Sequence, residues 1–300
     1  MKTIQMPYAE LARALGVKEV YLKREDQHKY GSHKGRSLPL MIKKYFKEDG
    51  TTKFVISSSG NAALAAVEAV QAHNRNNPSK LRLTVFVGQN INPQKMKKMI
   101  AIIEDVNIKL EQVENPKQSA FQMDKDGNAK NLRQSTDDSA LEGYFELAQE
   151  LDKIPDLSAI FIPTSSGTTA QALGEAFSKL SQKPQIHIIQ TTACCPIASV
   201  ISPLLPEERG ARVRREQSLA DAIVDHIAHR KEKVVEVIKT SQGSGWIVTD
   251  DEIISAIKLI KETCNLAISP NSALSVAGLA KAMQLDWKFD GAVVCLITGL

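Results

Sequence analysis

One lysine near the N-terminus stands where it could act as a nucleophile. Lys34 lies in the polar stretch 21–36, YLKREDQHKYGSHKGR, in which Gly31 and Ser32 predict the start of a helix. The N-terminus of a helix carries partial positive charge and disfavours a cation, so a lysine placed there is more readily neutral. A neutral amine is the form that attacks a carbonyl to make an imine. By itself, the stretch is more typical of a solvated basic turn or of a patch for an anionic partner.

A loop rich in hydroxyl groups could hold a phosphate. Residues 162–171, IPTSSGTTAQ, pass from a predicted strand into a predicted helix. Backbone N–H groups, hydroxyls and the positive end of the helix suit a phosphate dianion without any lysine or arginine. The segment lacks the G-K-[ST] of a P-loop and the G-x-G-x-x-G of a dinucleotide site, and a polar turn with a Ser/Thr cap is the simpler alternative. The loop itself consists of Thr164, Ser165, Ser166, Gly167, Thr168 and Thr169.

A second polar loop, residues 57–62, reads SSSGNA and again joins a predicted strand to an Ala-rich helix. Gly60 permits close approach of the backbone to a ligand, and the amide of Asn61 can donate to an oxygen. The N–H groups of this loop, which includes Ser58 and Ser59, could hold a carboxylate. In isolation the pattern is more typical of a turn followed by a helix cap.

Short β-branched runs alternate with longer helical segments, and both polar loops lie at junctions where a predicted strand passes into a predicted helix. This alternation is typical of an α/β fold with parallel sheets covered by helices on both faces, and the chain contains enough strands for two such sheets. The pattern predicts strands at 52–57, 82–87, 106–113, 159–162, 185–190 and 292–297. It predicts helices at 61–73, 93–102, 139–151, 170–180, 219–228 and 250–263, the last capped by Thr249 or Asp250. Ligands of such folds lie beyond the carboxyl ends of strands, where both polar loops fall.

The composition indicates a globular protein, with 43% hydrophobic and 24% charged residues. The net charge of +4, from 38 basic and 34 acidic residues, is too small and too dispersed to indicate a nucleic-acid-binding protein. The basic residues that could form an anionic-partner patch lack interleaved aromatic residues, which argues further against that class. They are Lys23, Arg24, Lys29, Lys34, Arg36 and the cluster 212–215.

Membrane, secreted and metal-binding classes are also disfavoured. No apolar run approaches the roughly 20 residues that span a bilayer, and the stretch MKTIQMPYAELARALG lacks the apolar core of a secretory signal. The four cysteines, none in a C-x-x-C pair, predict buried or idle thiols in a reducing compartment. His226 and His229 could share a helix face but lack further ligands for a metal. We therefore expect a cytoplasmic protein without a metal site.

Taken in order, these motifs resemble fold-type II pyridoxal-phosphate-dependent enzymes, the tryptophan synthase β family. The resemblance covers nearly the whole chain and rests on YLKRED, GSHKGR, SSSGNAALAA, the Ser/Thr loop and the terminal VCLITG. Within the family it is nearest to threonine synthase, through QSLADAIVDHI, GWIVTDDEIISAIKLI and SPNSALSVAGLAKA. It implies two parallel-sheet α/β domains with pyridoxal 5′-phosphate in the cleft. The smaller domain is expected at 36–140, and the larger one at 1–35 together with 141–300.

The resemblance also implies a role for each polar residue. Lys34 forms the imine with the cofactor and later moves protons at the substrate Cα. Asn61 donates to the cofactor 3′-oxygen, and Thr298 faces the pyridine nitrogen. The substrate carboxylate is bound by Ser58, Ser59 and Gly60. The cofactor phosphate is held by Thr164, Ser165, Ser166, Gly167, Thr168 and Thr169.

The implied activity is elimination or replacement on a small amino acid. A neutral hydroxyl beside the ring nitrogen leaves that nitrogen mostly unprotonated, which weakens the electron sink and disfavours transamination. Conversion of O-phosphohomoserine to threonine is the main expectation, and a serine/threonine dehydratase- or cysteine synthase-like activity is the alternative. The candidates for binding the substrate phosphate are Lys23, Arg24, Lys29 and Arg36. The resemblance also implies a homodimer and a 57–62 loop that closes over substrate.

Four departures from the family pattern bear on which reaction the protein catalyses. Gly35 follows the lysine where aspartate is common, and Ser269 stands before the late proline where an acidic residue is common. The 164–169 loop carries hydroxyls where glycines are common, and the sequence ends at Leu300, soon after the T-G pair. A non-catalytic relative that binds the cofactor therefore stays open as a further alternative.

Overall fold

The protein, seen in a computed structural model, is described over residues 2–203 and 217–299. It forms two compact units. The first unit comprises the described parts of Met1–Gln27 and Tyr144–Leu300, and the second is His28–Gly143. The basic cluster predicted at 212–215 lies outside the described residues. Within the described ranges, no helix has the length and apolar character needed to cross a bilayer.

The strands, numbered along the chain, include all six that the β-branched runs predict, together with strands at 5–7, 19–24, 130–131 and 245–248 that were not predicted. They are β1 (Gln5–Pro7), β2 (Glu19–Arg24), β3 (Lys53–Ser57), β4 (Arg82–Gly88), β5 (Ile108–Val113), β6 (Lys130–Asn131), β7 (Leu157–Pro163), β8 (Gln185–Thr191), β9 (Gly245–Val248) and β10 (Ala292–Ile297).

The helices are numbered in the same way, and several begin at residues suited to the task. Thr249 forms a capping box with Glu252, which confirms one of the two predicted caps. Pro93 occupies the first turn of its helix, where its missing N–H is not needed. The helices are α1 (Ala9–Leu15), α2 (Lys34–Asp49), α3 (Asn61–Asn76), α4 (Pro93–Ile102), α5 (Pro116–Lys125), α6 (Ser139–Glu142), α7 (Phe145–Leu151), α8 (Thr168–Phe177), α9 (Ala198–Ile201), α10 (Lys231–Thr240), α11 (Asp250–Cys264) and α12 (Pro270–Gln284).

The first unit is built on a six-stranded sheet in the order β1-β2-β10-β7-β8-β9. The edge strand β1 is antiparallel to β2, and the other pairings are parallel. The central strand β10 is buried along its whole length, as expected of a parallel strand covered on both faces. Its position between β2 and β7 brings the carboxyl ends of three strands to one edge of the sheet.

The second unit is built on a four-stranded parallel sheet in the order β5-β4-β3-β6. Its main core contains apolar residues from α2, α3 and the central strands β3 and β4. The predicted α/β fold with two mainly parallel sheets is therefore confirmed. Each unit has its own core, as expected of separate layers of sheet and helix.

The helix predicted at 139–151 is divided into α6 and α7. Gly143 lies between them, and a Cβ on this residue would stand 2.3 Å from the carbonyl oxygen of Arg36. Such a close approach of two backbone segments requires glycine, which interrupts an otherwise continuous helical pattern. The spacing of apolar residues does not reveal this interruption because both pieces bury apolar residues, Ala140 and Leu141 in α6 and Leu147, Ala148 and Leu151 in α7.

The prediction of a helix at 219–228 is wrong, and the hydrogen bonds of this segment explain why it is not helical. The N–H groups of this segment donate to side chains that are distant in sequence. That of Leu219 donates to the Asp250 carboxylate, and that of Ala222 donates to the Asn271 amide oxygen. These partners replace the i to i−4 bonds of a helix. The shared helix face proposed for His226 and His229 is therefore absent.

The cysteines behave as buried thiols. All four are free, and Cys194, Cys195 and Cys295 are buried. Burial raises the pKa of the Cys195 and Cys295 thiols, which keeps them protonated and unreactive. Among the described residues, no group of three or more potential ligands is arranged to hold a metal ion.

Candidate functional site

The 164–169 loop begins at the carboxyl end of β7 and leads into α8, as the sequence predicts. Gly167 fits this loop for two reasons. Its φ of +90° lies in the left-handed region that L side chains rarely adopt. A Cβ at this position would also stand 2.5 Å from Cγ2 of Val234 on α10. The observed loop conformation therefore depends on glycine at position 167.

The backbone of this loop offers donors to an anion. Thr164 donates its hydroxyl to a carbonyl two residues earlier, and the hydroxyls of Ser166 and Thr168 lie 3.0 Å apart. Across residues 2–203 and 217–299, no acceptor lies within hydrogen-bonding range of the N–H groups of Ser166, Gly167 and Thr169. Three such N–H groups at a helix N-terminus are the donor set that a phosphate dianion requires. The loop therefore fits a phosphate through its backbone.

Ser165 has a different task from its neighbours. Its Oγ accepts from the N–H groups of Val224 at 3.2 Å and Asp225 at 3.3 Å, and it donates to the Asp225 carboxylate. The hydroxyl is therefore engaged in holding the segment around residue 225 against the loop. Gln190, fully buried on the adjacent strand β8, donates to the Ser165 carbonyl and so also supports the loop.

Thr298 is brought to the same edge of the same sheet. It follows β10 directly, and β10 pairs in parallel with β7, whose end opens the 164–169 loop. Thr298 is buried, with 6% of its surface exposed. The topology therefore places a buried hydroxyl on the strand next to the loop that fits a phosphate.

Lys34 is the first residue of α2, which confirms the predicted helix start. The side chain is partly buried, so it is shielded without being enclosed. The next residue, Gly35, has no room for a side chain because a Cβ would stand 2.5 Å from Nδ1 of His28 and 2.6 Å from Cβ of Tyr30. The departure from the common Lys-Asp pattern therefore has a local steric reason in the residues that precede the helix.

The 58–60 loop joins β3 to α3, and Asn61 is the first residue of that helix, as predicted. The loop residues are partly exposed, and the N–H of Gly60 donates to the Ser58 hydroxyl at 3.3 Å. Gly60 has an extended backbone with φ of −127°, and a Cβ there would meet nothing within 4 Å. The loop therefore has space around it on the side where a ligand would bind.

Lys34 and Asn61 begin two helices of the second unit that pack against each other. Helices α2 and α3 pack side by side in the same core. The rings of Phe46 and His73 are in contact, with centroids 4.7 Å apart, and each is the thirteenth residue of its helix. Two helices that start level with each other place their first residues together. We therefore expect the nucleophile candidate and the amide candidate to lie at the same end of this unit.

Two of the four residues predicted to bind a substrate phosphate are engaged elsewhere. Lys23 is fully buried and donates to the carboxylate of Glu150. Arg24 makes a two-pronged contact with Asp26, at 2.8 Å and 2.7 Å. These carboxylates neutralise both cations within the first unit, which corrects the prediction for them. Lys29 remains exposed, above the ring of Tyr30.

The structure also reveals positions that the sequence does not mark. Asp225 contacts Ser165 only because the 217–230 segment is not helical. Ser272, on α12, contacts the backbone of Gly299 next to Thr298. Both residues belong to stretches that resemble threonine synthases, QSLADAIVDHI and SPNSALSVAGLAKA, and this resemblance is the signal that could have drawn attention to them.

Comparison with known proteins extends these observations. A family model described as "Pyridoxal-phosphate dependent enzyme" matches residues 2–299. The threonine synthase of Methanosarcina acetivorans is 27% identical, over 96% of this chain and 72% of its own length. The agreement therefore extends through both units and includes every polar segment described above.

Solved structures show the same fold. A pyridoxal 5′-phosphate-dependent aspartate racemase superposes with a TM-score of 0.81 at 19% identity, covering 100% of this chain and 90% of its own. The processed form of threonine deaminase isoform 2 from Solanum lycopersicum gives a TM-score of 0.78 at 19% identity, covering 100% of this chain and 79% of its own. These identities are low enough that the likeness concerns the fold alone.

Proposed function

This chain belongs to the family of pyridoxal-phosphate-dependent enzymes, and on that premise we propose that it eliminates or replaces a leaving group on a small amino acid. The proposed reaction is that of a threonine synthase, in which O-phosphohomoserine loses phosphate and water adds at Cβ to give threonine. The relative that carries the name threonine synthase supports this choice because it aligns with 96% of the chain.

Each polar segment has a proposed task in this reaction. When bound, pyridoxal phosphate supplies the electron sink that stabilises negative charge at the substrate Cα. Lys34 would hold the cofactor covalently and then carry a proton to or from Cα. Asn61 would donate to the cofactor 3′-oxygen, and the 58–60 loop would bind the substrate carboxylate. The N–H groups of the 164–169 loop would hold the cofactor phosphate.

The observation that carries the choice of reaction type is the position of Thr298. It lies at the end of the strand beside the 164–169 loop, buried and bearing a neutral hydroxyl. A hydroxyl next to the pyridine nitrogen does not stabilise a protonated ring as a carboxylate would. A less protonated ring withdraws less charge from Cα, which favours loss of a leaving group over transamination.

A second candidate function has a specific observation in its favour. Lys23 and Arg24 are bound to Glu150 and Asp26, so two of the cations that could hold a substrate phosphate are already neutralised. A substrate without a phosphate needs no such cation. Elimination from serine or threonine, the reaction of a dehydratase, is therefore the second candidate.

A substrate panel separates the two candidates. The purified protein, loaded with pyridoxal phosphate, is incubated with L-serine, L-threonine, O-acetylserine or O-phosphohomoserine, and the products are identified by mass spectrometry. Threonine together with inorganic phosphate from O-phosphohomoserine supports the threonine synthase reaction. Pyruvate or 2-oxobutyrate from serine or threonine supports the dehydratase reaction. If no substrate yields product while the cofactor is bound, the protein is a non-catalytic relative and the proposal is wrong.

The role of Lys34 is tested in the same preparation. Borohydride reduction followed by peptide mass spectrometry should find the cofactor attached to Lys34, and Lys34→Ala should remove both the adduct and all but a trace of turnover. Lys43→Ala is the matched control, since it removes an exposed lysine from the same helix. Retention of the adduct and of turnover in Lys34→Ala would assign the nucleophile to another residue.

A further inference from the structure

Thr298 lies just beyond the hydrogen-bond ladder that fixes its strand. The pairing of β10 with β2 ends at Ile297, opposite Arg24, and the pairing of β10 with β7 ends at Cys295, opposite Phe161. Inside a central strand, neighbouring strands determine the direction of each side chain. Beyond the ladder the backbone on either side of Thr298 has to do so, and one point where that backbone is held is Gly299, which also lies in an isolated β-bridge.

Two serines at the start of α12 bind the backbone of Gly299. Ser272 Oγ donates to the Gly299 carbonyl at 2.7 Å and accepts from the Gly299 N–H at 3.2 Å. Ser269 Oγ lies 2.7 Å from the same carbonyl. Ser272 is fully buried, so water cannot replace its hydroxyl without opening the structure. Both polar groups of Gly299 are therefore held by one helix start.

The number of hydrogens fixes which contact each serine makes. A hydroxyl donates only one hydrogen. The Ser272 hydroxyl donates its hydrogen to the Gly299 carbonyl, and its oxygen accepts a hydrogen bond from the Gly299 N–H. Ser269 lies 3.2 Å from Ser272 Oγ but 2.7 Å from the carbonyl, so the carbonyl takes the hydrogen of Ser269. The carbonyl thus receives two bonds.

Holding Gly299 also restricts Thr298. The N–H of Gly299 belongs to the peptide bond that joins the two residues, so its position fixes the ψ angle of Thr298. A fixed backbone limits the direction of a β-branched side chain, which has few rotamers. The start of α12 therefore contributes to the direction of the Thr298 hydroxyl, together with the contacts that Thr298 makes itself.

We propose that Ser272 and Ser269 are positioning residues that orient the Thr298 hydroxyl toward the cofactor ring. This inference rests on the proposed function in taking Thr298 as the residue that faces the ring nitrogen. It extends that function by assigning part of the reaction specificity to a helix that itself holds no ligand. Neither serine is a catalytic residue.

The test compares Ser272→Ala with Ser275→Ala, which removes another fully buried serine hydroxyl from the same helix. The Ser275 hydroxyl donates to the Ser272 carbonyl within the same helix, and the Cys295 thiol contacts the Ser275 carbonyl, which the substitution keeps, so this variant controls for loss of a buried hydroxyl. Binding of pyridoxal phosphate alone is measured by fluorescence titration. We expect Ser272→Ala to raise the Kd about tenfold, as loss of a buried hydrogen bond does, and Ser275→Ala to leave it within about twofold.

A second readout follows the ring directly. The pH midpoint of the bound cofactor's visible absorption should shift in Thr298→Val and shift in the same direction in Ser272→Ala. In the double variant Ser272→Ala/Thr298→Val, the shift should equal that of Thr298→Val alone, because Ser272 acts through Thr298. Additive shifts, or equal shifts in Ser272→Ala and Ser275→Ala, would overturn the inference.

Substitutions of Ser269 can separate its role as the N-cap of α12 from its hydrogen bond to the Gly299 carbonyl. Glycine is tolerated at a helix N-cap but has no hydroxyl, whereas threonine keeps both functions. We therefore expect Ser269→Gly to shift the absorption midpoint and Ser269→Thr to restore it. These measurements need no substrate, so a failed substrate panel with intact shifts rejects the proposed reaction alone. Unchanged midpoints in Ser272→Ala and Ser269→Gly, with normal turnover, reject the positioning role alone.

Discussion

The two polar loops of this protein differ in how firmly they are held. The 164–169 loop is largely buried, contains a glycine at φ +90° and is bound through Ser165 to a neighbouring segment. The 58–60 loop is partly exposed, has an extended glycine and makes one weak side-chain contact of its own. Both join a parallel strand to a helix, so the topology does not account for the difference.

The difference matches the ligands proposed for the two loops. A cofactor phosphate stays bound through many turnovers, and a loop formed in advance avoids the entropy of ordering it at each event. A substrate carboxylate enters and leaves at every turnover, which suits a loop with open space around it. Rigidity in this protein therefore lies in the loop proposed to hold the permanent ligand.

Among the tests of this contrast between the two loops, the largest effect is expected when the glycine of each loop is replaced by alanine. Gly167→Ala should lower the free energy of unfolding by about 3 kcal/mol or more, because it combines a left-handed φ with overlap against Val234. Gly60→Ala should change it by less than about 1 kcal/mol, since the backbone is extended and the space is open. Urea denaturation followed by circular dichroism measures both.

A second substitution divides the Gly167 effect into its parts. Val234→Ala removes the overlapping methyl, so the double variant Gly167→Ala/Val234→Ala should recover the steric part and keep the backbone strain. A Gly60→Ala variant as unstable as Gly167→Ala would contradict the contrast between the loops.

The next test uses acid to destabilise the sheet of the first unit, from which the rigid loop emerges. His187 on β8 is fully buried, stacks on Phe161 of β7 and accepts from Trp246 Nε1, and burial lowers its pKa to about 3. The unfolded chain binds this proton near pH 6.5 and the folded chain does not, so stability is lost as pH falls below 6.5. The loss at pH 5 should be about 2 kcal/mol.

His187→Gln is the control for that effect, because glutamine does not titrate but can still accept from Trp246. The variant should lose less stability than the parent between pH 6.5 and pH 5 in urea denaturation. If the free energy of unfolding falls equally in the two proteins between pH 6.5 and pH 5, then His187 is not the cause of the loss of stability in acid.

The smallest expected effects come from the loop serines. Ser165→Ala leaves the N–H groups of Val224 and Asp225 without their acceptor and should cost about 1–2 kcal/mol. Ser58→Ala should cost less than about 0.5 kcal/mol, since water can reach the Gly60 N–H in its partly exposed loop. Equal costs for the two serines in thermal denaturation would remove the basis of the comparison.

The sequence predicts the parts of this fold that depend on local pattern. The strands that lead to both loops and the helix starts at Lys34 and Asn61 follow from β-branched runs and polar breaks. The role of each loop required the family resemblance, because hydroxyl-rich turns are common at helix starts. Local pattern therefore identifies where a site can form but not what binds there.

Long-range contacts explain what the sequence could not predict. The 219–228 stretch has helical periodicity, but Asp250 and Asn271 take its N–H groups. Lys23 belongs to a segment that looks like a basic surface, yet it is buried against the carboxylate of Glu150, 127 residues away. Partners at such separations leave no periodic signal in the sequence.

The 217–230 segment also has a consequence for the order of folding. Its shape depends on Ser165, Asp250 and Asn271, which lie on three different parts of the first unit. These acceptors come together only after the sheet and its helices have formed, and contacts between such distant residues form slowly. We therefore expect the segment that braces the phosphate-fitting loop to be among the last to fold and the first to open, and its amide hydrogens to exchange sooner than those of the neighbouring strands.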